Sequence, residues 1–314
     1  IGENMAGYQW ADFDFSRSFQ GKTYTRVASN GITWEIAKKH NLGIDISILQ
    51  NKFNITADYF HETRTGIFMS RTSLPMIVGL QPGDNPRANV GGVLSRGVDG
   101  NYTFKQKVGE VNFTLRGNAT YSKNEILDRD EGFKQFPYQY EKGYRVNQAR
   151  GLIAIGLFKD WEDIRNSPVQ NAWGPVWPGD IKYQDVNGNG VIGNEDRVAI
   201  GATTRPNLID RLGLSAQWKK VDFNIHFQGA GKSSFFLSGG IAHPFSREQW
   251  ENVLQDVVNN HWISRDISGD PKTENPNAIY PRLEYGNVNG NNRQQSSFWL
   301  RDGSYLRLKT LEFG

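Results

Sequence analysis

The sequence predicts an all-β protein, an arc of a large antiparallel transmembrane β-barrel with long extracellular loops and one short loop helix. Apolar and polar residues alternate along several segments, which is the pattern of a strand with two different faces. One of these segments is longer than the usual strand of a globular protein, about 5–6 residues. Short turns and long loops alternate as the connections between these segments, as in outer-membrane barrels.

The longest alternating segment covers residues 111–122. Its apolar positions are Val111, Phe113, Leu115, Gly117, Ala119 and Tyr121. Every residue between them is polar, so one face is apolar and the other fully polar. The length matches a tilted membrane strand of about 9–11 residues.

Further strands are predicted at 43–49, 55–63, 98–104, 212–218, 221–228 and 303–313. The short turns between them fall at 50–53, 107–110 and 219–220, and the long extracellular loops at about 70–93, 127–207 and 236–296. We therefore assign residues 1–314 to part of one transmembrane barrel domain. The alternative is a soluble calcium-stabilised, carbohydrate-binding β-sandwich, whose strands alternate because one face packs on a core.

The composition limits the function classes. The chain has 314 residues, 37% of them hydrophobic and 12% aromatic, a net charge of +3 and no cysteine. Disulfides and thiolate metal sites are therefore excluded, and no basic block points to nucleic acid. No apolar run is long enough for a transmembrane helix, whereas alternating barrel strands escape such a search.

The loop helix is predicted after a capping box formed by Ser246 and Gln249. The apolar residues that follow at helical spacing are Trp250, Val253, Leu254, Val257 and Val258. This stripe predicts a helix that covers neighbouring loop surface or contacts a partner.

Residues 185–196 form a calcium-like loop. Oxygen ligands are expected from the side chains of Asp185, Asn187, Asn189 and Asp196 and from the carbonyl of Val191. Gly190 stands where such loops turn sharply. The alternative is a metal-free turn held by Asx hydrogen bonds. If Ca²⁺ binds, its role is expected to be structural.

Aromatic residues in the long loops are candidates for substrate contact because flat rings stack on sugars. They are Tyr138, Tyr140, Trp161, Trp173 and Trp177. Packing within the loops or against a partner is the alternative for each of them. The expected lumen-facing residues are Arg116, Asn118, Asp222, Asn224 and His226, and the expected membrane-interface anchors are Trp34, Tyr59, Tyr121 and Trp218.

No catalytic constellation stands out. The five histidines have no metal-ligand spacing, and no carboxylate pair is set apart as acid and base. We therefore do not expect an enzyme, and a secreted glycoside hydrolase is kept only as a further alternative.

Four segments resemble one known family. They are GITWEIAKKHNLGIDI (31–46), the stretch from GLF to EDIRNSP (156–168), GDIKYQDVNGNGVIGNEDRVAIG (179–201) and YPRLEYGNVNGNNRQQSSFWLRDGSYLRLKTLEFG (280–314). In this order they resemble the SusC-like (SusC/RagA) TonB-dependent outer-membrane transporters. The matches are spread over most of the chain, which makes them more specific than the calcium-like loop alone.

The resemblance implies a multi-pass barrel in the outer membrane of Bacteroidota. It implies import of oligosaccharides, or oligopeptides in some members, with a SusD-like lipoprotein and the TonB–ExbB–ExbD system as partners. The family's plug domain and TonB box are not matched by this sequence. We therefore expect the chain to be a partial one that covers the later-middle part of the barrel, in contact with outer-membrane lipid and without a nucleic-acid partner.

Overall fold

The computed structural model of the chain describes residues 5–11, 18–24, 29, 31–75, 77, 85–240, 242–245, 252–285 and 290–314. Strands dominate these residues. In chain order they are β1 (Met5–Ala11), β2 (Ser18–Tyr24), β3 (Ile36–Ile48), β4 (Phe53–Ser70), β5 (Arg87–Val108), β6 (Val111–Asp128), β7 (Arg150–Gly151), β8 (Ala154–Leu157), β9 (Ile181–Tyr183), β10 (Val198–Ala199), β11 (Leu208–Trp218), β12 (Val221–Gly231), β13 (Ser234–Phe236), β14 (Leu300–Asp302) and β15 (Tyr305–Phe313).

Seven of the described strands form one sheet in the order β15, β12, β11, β6, β5, β4, β3. Long strands that follow each other in the chain are neighbours in this sheet, which confirms the predicted up-and-down antiparallel fold. Short turns follow β3, β5 and β11, and long connections follow β4, β6 and β12. The observed strands are longer than predicted: β3 begins at Ile36, β4 ends at Ser70, and β5 begins at Arg87, so residues 87–93 belong to β5 and not to the predicted loop.

The described residues contain three short α-helices, whereas the sequence predicted one. They are α1 (Trp161–Arg165), α2 (Gln255–Asn260) and α3 (Arg265–Ser268). Helices α1 and α3 are too short for an apolar period and are started by capping side chains, Asp160 and Ser264. The predicted helix start, Ser246 to Trp250, lies outside the described residues; of the predicted stripe, Val253 and Leu254 precede α2, and Val257 and Val258 lie in it. Within the described part of the chain, no helix has the length and apolar composition needed to cross a membrane.

The chain divides into two compact units. The sheet unit comprises residues 1–146, 210–227 and 308–314, and the loop unit comprises residues 147–209 and 228–307. The assignment of residues 1–314 to a single barrel domain stays a prediction.

Strand register in the sheet unit aligns the apolar residues of β3, β4, β5 and β6 into four rows. The rows are Leu42, Tyr59, Val98, Tyr121; Ile44, Ala57, Gly100, Ala119; Ile46, Ile55, Tyr102, Gly117; and Ile48, Phe53, Phe104, Leu115. Directly paired residues point to the same side of a sheet, so these rows form one continuous apolar face. Successive rows are about 7 Å apart. The four rows therefore cover about 20 Å, close to the roughly 25 Å apolar band of an outer-membrane barrel.

Side chains of this apolar face stay exposed in the part of the chain that the structure describes. Leu42 is 68% exposed, Ile44 55% and Ile46 44%, although burial of apolar surface is the main driving force of folding in water. The other sheets among the described residues have only two strands each, whereas a β-sandwich pairs two large sheets. The β-sandwich alternative is therefore wrong. An uncovered apolar face of this extent requires an apolar surrounding such as lipid.

Tyr59, Tyr121 and Trp218 lie near the ends of the apolar face, whereas Trp34 lies eight residues before Leu42 and beyond its border. Tyr59 and Tyr121 share one row, at its border on the side of the long connections. At the short-turn end of β11, the Trp218 indole N–H donates to Glu110 Oε2 at 3.1 Å. Trp34 precedes β3 and is 92% exposed. An aromatic ring with a polar tip is suited to such a border.

The opposite side of the sheet, the polar face, is held by hydrogen bonds between strands. The Thr56 hydroxyl donates to Asp45 Oδ1 at 2.7 Å, and the Ser47 hydroxyl donates to Asn54 Oδ1 at 2.7 Å. One apolar and one polar face are what a barrel wall requires.

The loop unit, by contrast, has a conventional hydrophobic core. Its buried members are Leu152, Leu157, Ile181, Tyr183, Ile192, Ala242, Trp262 and Trp299. Several polar groups inside it are paired: the Trp299 indole N–H donates to the Asn292 carbonyl at 2.7 Å, and the Gln170 amide donates to Asn291 Oδ1 at 2.8 Å. Burial raises the pKa of the Tyr183 phenol because the phenolate loses its hydration. The long connections therefore fold into a body of their own.

His243 makes the stability of the loop unit depend on pH. Its ring packs edge-on against Trp299, with centroids 4.6 Å apart. Burial lowers the pKa of the imidazole to about 4, with a smaller contribution from the Arg293 charge. An unfolded histidine titrates at about 6.5. Between these two values the unfolded chain binds more protons, so the native loop unit loses stability as the pH falls through this window.

Thermal unfolding of the wild type and of His243→Gln between about pH 7 and about pH 4 checks this. We expect the wild-type Tm to fall more steeply than that of the variant. Parallel curves for the two proteins would show that His243 does not carry the pH dependence.

Candidate functional site

The loop unit contains a cavity of about 750 Å³. Its lining includes Trp161, Trp177, Trp262, Arg265, Glu274 and Arg282. The volume falls within the range of about 300–1,000 Å³ that is usual for ligand sites. Aromatic rings next to charges of both signs would suit a ligand with apolar faces and many polar groups.

Trp161 and Trp177, two of the predicted substrate residues, meet at this cavity. Their rings are arranged edge to face with centroids 5.0 Å apart. They are 47% and 48% exposed, so about half of each side chain stays available for contact. Stacking on a sugar ring or on an apolar side chain requires such open ring faces.

Trp161 is positioned by the capping of α1. Asp160 accepts a hydrogen bond from the Asp163 N–H at 2.8 Å, and Lys182 Nζ donates to Asp163 Oδ1 at 2.7 Å. Burial alone would raise the pKa of Asp163. Burial is the largest single influence, but the hydrogen bonds from the Lys182 ammonium and the Lys159 N–H, together with the charges of both lysines, outweigh it, so this pKa lies below its usual range. The carboxylate therefore stays charged near neutral pH and ties α1 to strand β9.

Trp177 is positioned by Asp180, whose side chain is fully buried. Asp180 Oδ2 accepts from the Trp177 N–H at 2.8 Å, and Asp180 Oδ1 forms an ion pair of 2.7 Å with Arg282. The Arg282 guanidinium also lies 5.8 Å from the centre of the Trp177 ring. The Asn292 amide donates to Asp180 Oδ1 at 2.8 Å. A buried carboxylate needs such partners, and here they hold Trp177 and Arg282 in fixed places.

Arg265 and Glu274 supply further charges to the cavity lining. Arg265 Nε donates to Glu274 Oε2 at 2.7 Å. This bond lowers the pKa of Glu274, so the carboxylate remains ionised as a hydrogen-bond acceptor.

The other three predicted substrate residues lie elsewhere. Trp173 packs edge-on against Tyr183 at 6.4 Å and belongs to the edge of the loop-unit core. In the sheet unit, Tyr138 stacks on Phe136 at 5.4 Å, and the Tyr140 hydroxyl accepts from the Lys134 N–H at 3.0 Å. Contact of these three residues with substrate stays a prediction, since local packing explains their positions.

A second cavity, of about 660 Å³, lies on the polar face of the sheet unit. Its lining includes Asp99, Asn101, Arg116, Asn118, Arg211 and His226. Three of the predicted lumen-facing residues are among them. A fourth, Asn224, accepts from Arg116 at 3.5 Å and donates to Glu312 at 3.0 Å. The predicted lumen residues therefore form part of one hydrogen-bonded polar surface.

In the calcium-like loop, the predicted side-chain ligands bind backbone N–H groups of the same loop. These bonds join Asp185 to Gly188 and Gly190 (both 2.7 Å), Asn187 to Asn189 (2.9 Å) and Asn189 to Val191 (2.8 Å). They are the Asx turns of the alternative interpretation. Each oxygen still has a second lone pair for a cation.

Asp196, the closing carboxylate of this loop, is fully buried. It accepts hydrogen bonds of 2.8 Å from the N–H groups of Val186 and Gly193. Among the residues that the structure describes, no three His, Asp or Glu side chains are placed to hold a metal together. The oxygen donors fit a hard cation, but such an ion would depend largely on amide and carbonyl oxygens.

Comparison with known proteins identifies the family. Residues 6–226 match the model of the family described as "TonB dependent receptor-like, beta-barrel". The chain belongs to this family. As a TonB-dependent receptor-like barrel of the SusC-like type, it lies in the outer membrane, and its apolar face is the surface that meets lipid. The family is one of receptors and not of enzymes.

Two relatives of this TonB-dependent receptor-like chain come from Formosa agariphila. TonB-dependent receptor P26 is 24% identical over 302 residues, which cover 93% of this chain and 28% of the relative. TonB-dependent receptor P39 is 24% identical over 330 residues, which cover 96% of this chain and 31% of the relative. The chain thus spans less than a third of the length of these proteins.

Among solved structures, the RagAB peptide transporter matches with a TM-score of 0.69 and 16% identity, over 99% of this chain and 31% of that one. The closed-closed state of the RagAB peptide importer matches with a TM-score of 0.67 and 16% identity, over 99% of this chain and 32% of that one. At this identity the likeness shows a shared fold.

Sequence reasoning missed the charged residues around the two tryptophans. Asp180, Glu274 and Arg282 were not predicted, although Asp180 and Arg282 lie in GDIKY and YPRLEY, two segments that carry the family resemblance. Their presence in those segments was the available signal. Their pairing across more than a hundred residues was not visible in the sequence.

Proposed function

We propose that this chain is part of an outer-membrane transporter that imports oligosaccharides or, alternatively, oligopeptides in a TonB-dependent manner. The proposal that the chain binds substrate rests on the cavity lined by Trp161, Trp177 and Arg282. The lipid-facing sheet and the polar surface behind it support the transport side. Capture at the loop unit precedes passage along the polar face.

The proposed partners are a SusD-like surface lipoprotein and the TonB–ExbB–ExbD system. The resemblance to SusC-like transporters supports both, and so does the shared fold with the RagAB peptide transporter. The lipoprotein would cover the captured substrate, and TonB would supply the force for its release inward.

Oligosaccharides are the preferred substrate class because two half-exposed indole rings lie beside charged hydrogen-bonding groups. A sugar presents C–H groups to a ring face and hydroxyls to side chains such as Arg282 and Glu274. Peptides can use the same contacts through apolar and charged side chains. The substrate class is therefore decided by the binding test.

Replacement of both Trp161 and Trp177 by alanine in the full-length transporter is expected to lower substrate affinity about ten- to a hundredfold, because truncation of a central aromatic contact typically costs more than 1 kcal/mol. Calorimetry with a panel of neutral and acidic oligosaccharides, and in parallel with a pool of short peptides, measures the effect. Phe133→Ala is the matched control, since Phe133 is a loop aromatic of the sheet unit and 92% exposed.

Unchanged affinity in the double variant, or an equal loss of affinity in the Phe133 control, would show that this cavity does not bind the substrate. Hydrolysis of an oligosaccharide by the purified transporter would instead favour the glycoside hydrolase alternative.

We also propose that residues 185–196 bind a structural calcium ion. The oxygens of Asp185, Asn187, Asn189 and Asp196 support this, together with the Val191 carbonyl. With few charges in the loop, the affinity is expected in the range of about 10⁻⁴–10⁻³ M that is typical of extracellular modules. Millimolar Ca²⁺ is then expected to slow proteolysis within residues 127–207, and chelation is expected to reverse this.

Asp185→Asn is the variant that tests the ion, because it removes one charge and keeps a side-chain oxygen. Calcium should protect this variant less than the wild type. If added calcium and chelator leave the digestion of the wild type unchanged, the loop is a metal-free Asx turn.

A further inference from the structure

A row of basic residues lies on the lipid-facing side of the sheet. Register pairs His40 with His61, His61 with Arg96, and Arg96 with Lys123. We call these four residues the basic row. Neighbouring strands are about 4.8 Å apart, so the row covers about 15 Å across β3, β4, β5 and β6.

The basic row directly borders the apolar band. It is the next row after Leu42, Tyr59, Val98 and Tyr121, on the side of the long connections. Tyrosines on a membrane protein lie at the level of the lipid headgroups. The basic row is therefore placed at headgroup level or just beyond it, where lipid phosphates are found.

Within the described part of the chain, no carboxylate pairs with the permanent cations of the basic row. Among the described residues, neither Arg96 nor Lys123 has an ion-pair partner, and Arg96 is exposed. The histidines contact each other, with ring centroids 6.2 Å apart, and His61 approaches the Thr63 hydroxyl at 3.4 Å. Glu125 and Lys38 lie one row farther out on the same side.

The polar face at the same height differs in this respect. There Lys39 pairs with Glu62 at 3.3 Å, and Arg64 pairs with Glu35 at 3.0 Å and with Glu62 at 2.8 Å. Lys39 and Arg64 behind the sheet thus have carboxylate partners, whereas Arg96 and Lys123 in front of it face the membrane surface. Unpaired cations at a membrane surface attract anionic headgroups, and arginine binds phosphate oxygens in a bidentate manner.

We propose that the basic row is a binding site for the phosphate groups of anionic lipids on the long-connection side of the membrane. Arg96 and Lys123 supply the permanent charge. His40 and His61 extend the site as hydrogen-bond donors, and the tyrosine row below lies beside the upper part of the acyl chains. The site fixes the depth of the barrel wall in the membrane.

The test uses the full-length transporter in detergent, titrated with short-chain phosphatidylglycerol and observed by native mass spectrometry. Each lost cation is expected to lower affinity about fivefold, so Arg96→Gln combined with Lys123→Gln should lower it about twenty-five-fold. Lys39→Gln combined with Lys105→Gln is the matched control, because it removes two cations from the polar face. It should stay within about twofold of the wild type.

Equal losses in the two double variants, or no loss in either, would overturn the proposal. So would full competition by inorganic phosphate at the same concentration, because the site would then bind free anions. Arg96→Lys keeps the charge and should retain most of the binding. If the basic-row variant does not fold, measurements on the wild type test the proposal. Its affinity for phosphatidylglycerol must fall as the salt concentration is raised, and this affinity must exceed its affinity for zwitterionic phosphatidylcholine.

Discussion

Replacement of Ile55 by arginine is expected to prevent most of the full-length transporter from reaching its folded state in the membrane. Ile55 lies on β4 in the apolar row with Ile46, Tyr102 and Gly117. An arginine on the lipid face near the middle of the bilayer costs about 2–4 kcal/mol. Folded protein is measured by its heat-modifiable migration in detergent and by its yield in outer-membrane fractions.

The neighbouring position provides the control. Thr56 lies on the polar face, and its hydroxyl donates to Asp45 Oδ1 at 2.7 Å. An arginine at position 56 would find this carboxylate and water, so Thr56→Arg should fold nearly as well as the wild type. Similar yields for both variants would contradict the assignment of the two faces, since a shift of one residue along a strand exchanges them.

Asp180→Asn is expected to have the largest effect on the loop unit. The change keeps the size of the side chain but removes the charge that Arg282 pairs with at 2.7 Å. Breaking a buried ion pair by the loss of one partner typically costs about 3–5 kcal/mol, because the other charge remains buried. We expect faster proteolysis within the long connections and a lower Tm by tryptophan fluorescence, together with weaker substrate binding.

Asp160→Asn is the matched control. Asp160 caps α1, and asparagine caps a helix about as well as aspartate. The loop unit should therefore remain stable in this variant. Comparable destabilisation of both variants would mean that the Asp180–Arg282 pair has no special role.

The sheet could be predicted from sequence because its determinants are local. In β6, alternation from Val111 to Tyr121 alone defines two faces, and the same holds for Val221 to Phe227 in β12. The uncovered apolar face then separated a membrane strand from a sandwich strand. Sequence alone left this choice open, since alternation is the same when a face meets lipid or a second sheet.

The loop unit could not be predicted in the same way. Its core joins residues that are far apart, such as Gln170 and Asn291, which are 121 positions apart. The sequence singled out Trp161, Trp177 and Trp173 alike as loop aromatics, and nothing local to Trp173 shows that it packs at the core edge while the other two stay half exposed. In the calcium-like loop, the pattern of Asp and Asn is equally typical of metal ligands and of Asx turns, so the sequence cannot separate them.

The contacts of the loop unit join residues that are far apart in the sequence, and this determines when the unit can fold. The Ala154 N–H donates to the Ser297 hydroxyl across 143 positions, and Trp299 completes the same core. Hairpins such as β5 and β6 need only a two-residue turn, whereas closing a chain segment of this length costs additional entropy. High contact order slows folding, so we expect the loop unit to form last. Until then its tryptophans are exposed, and chaperones or proteases have access to the segment in which we propose that substrate is captured.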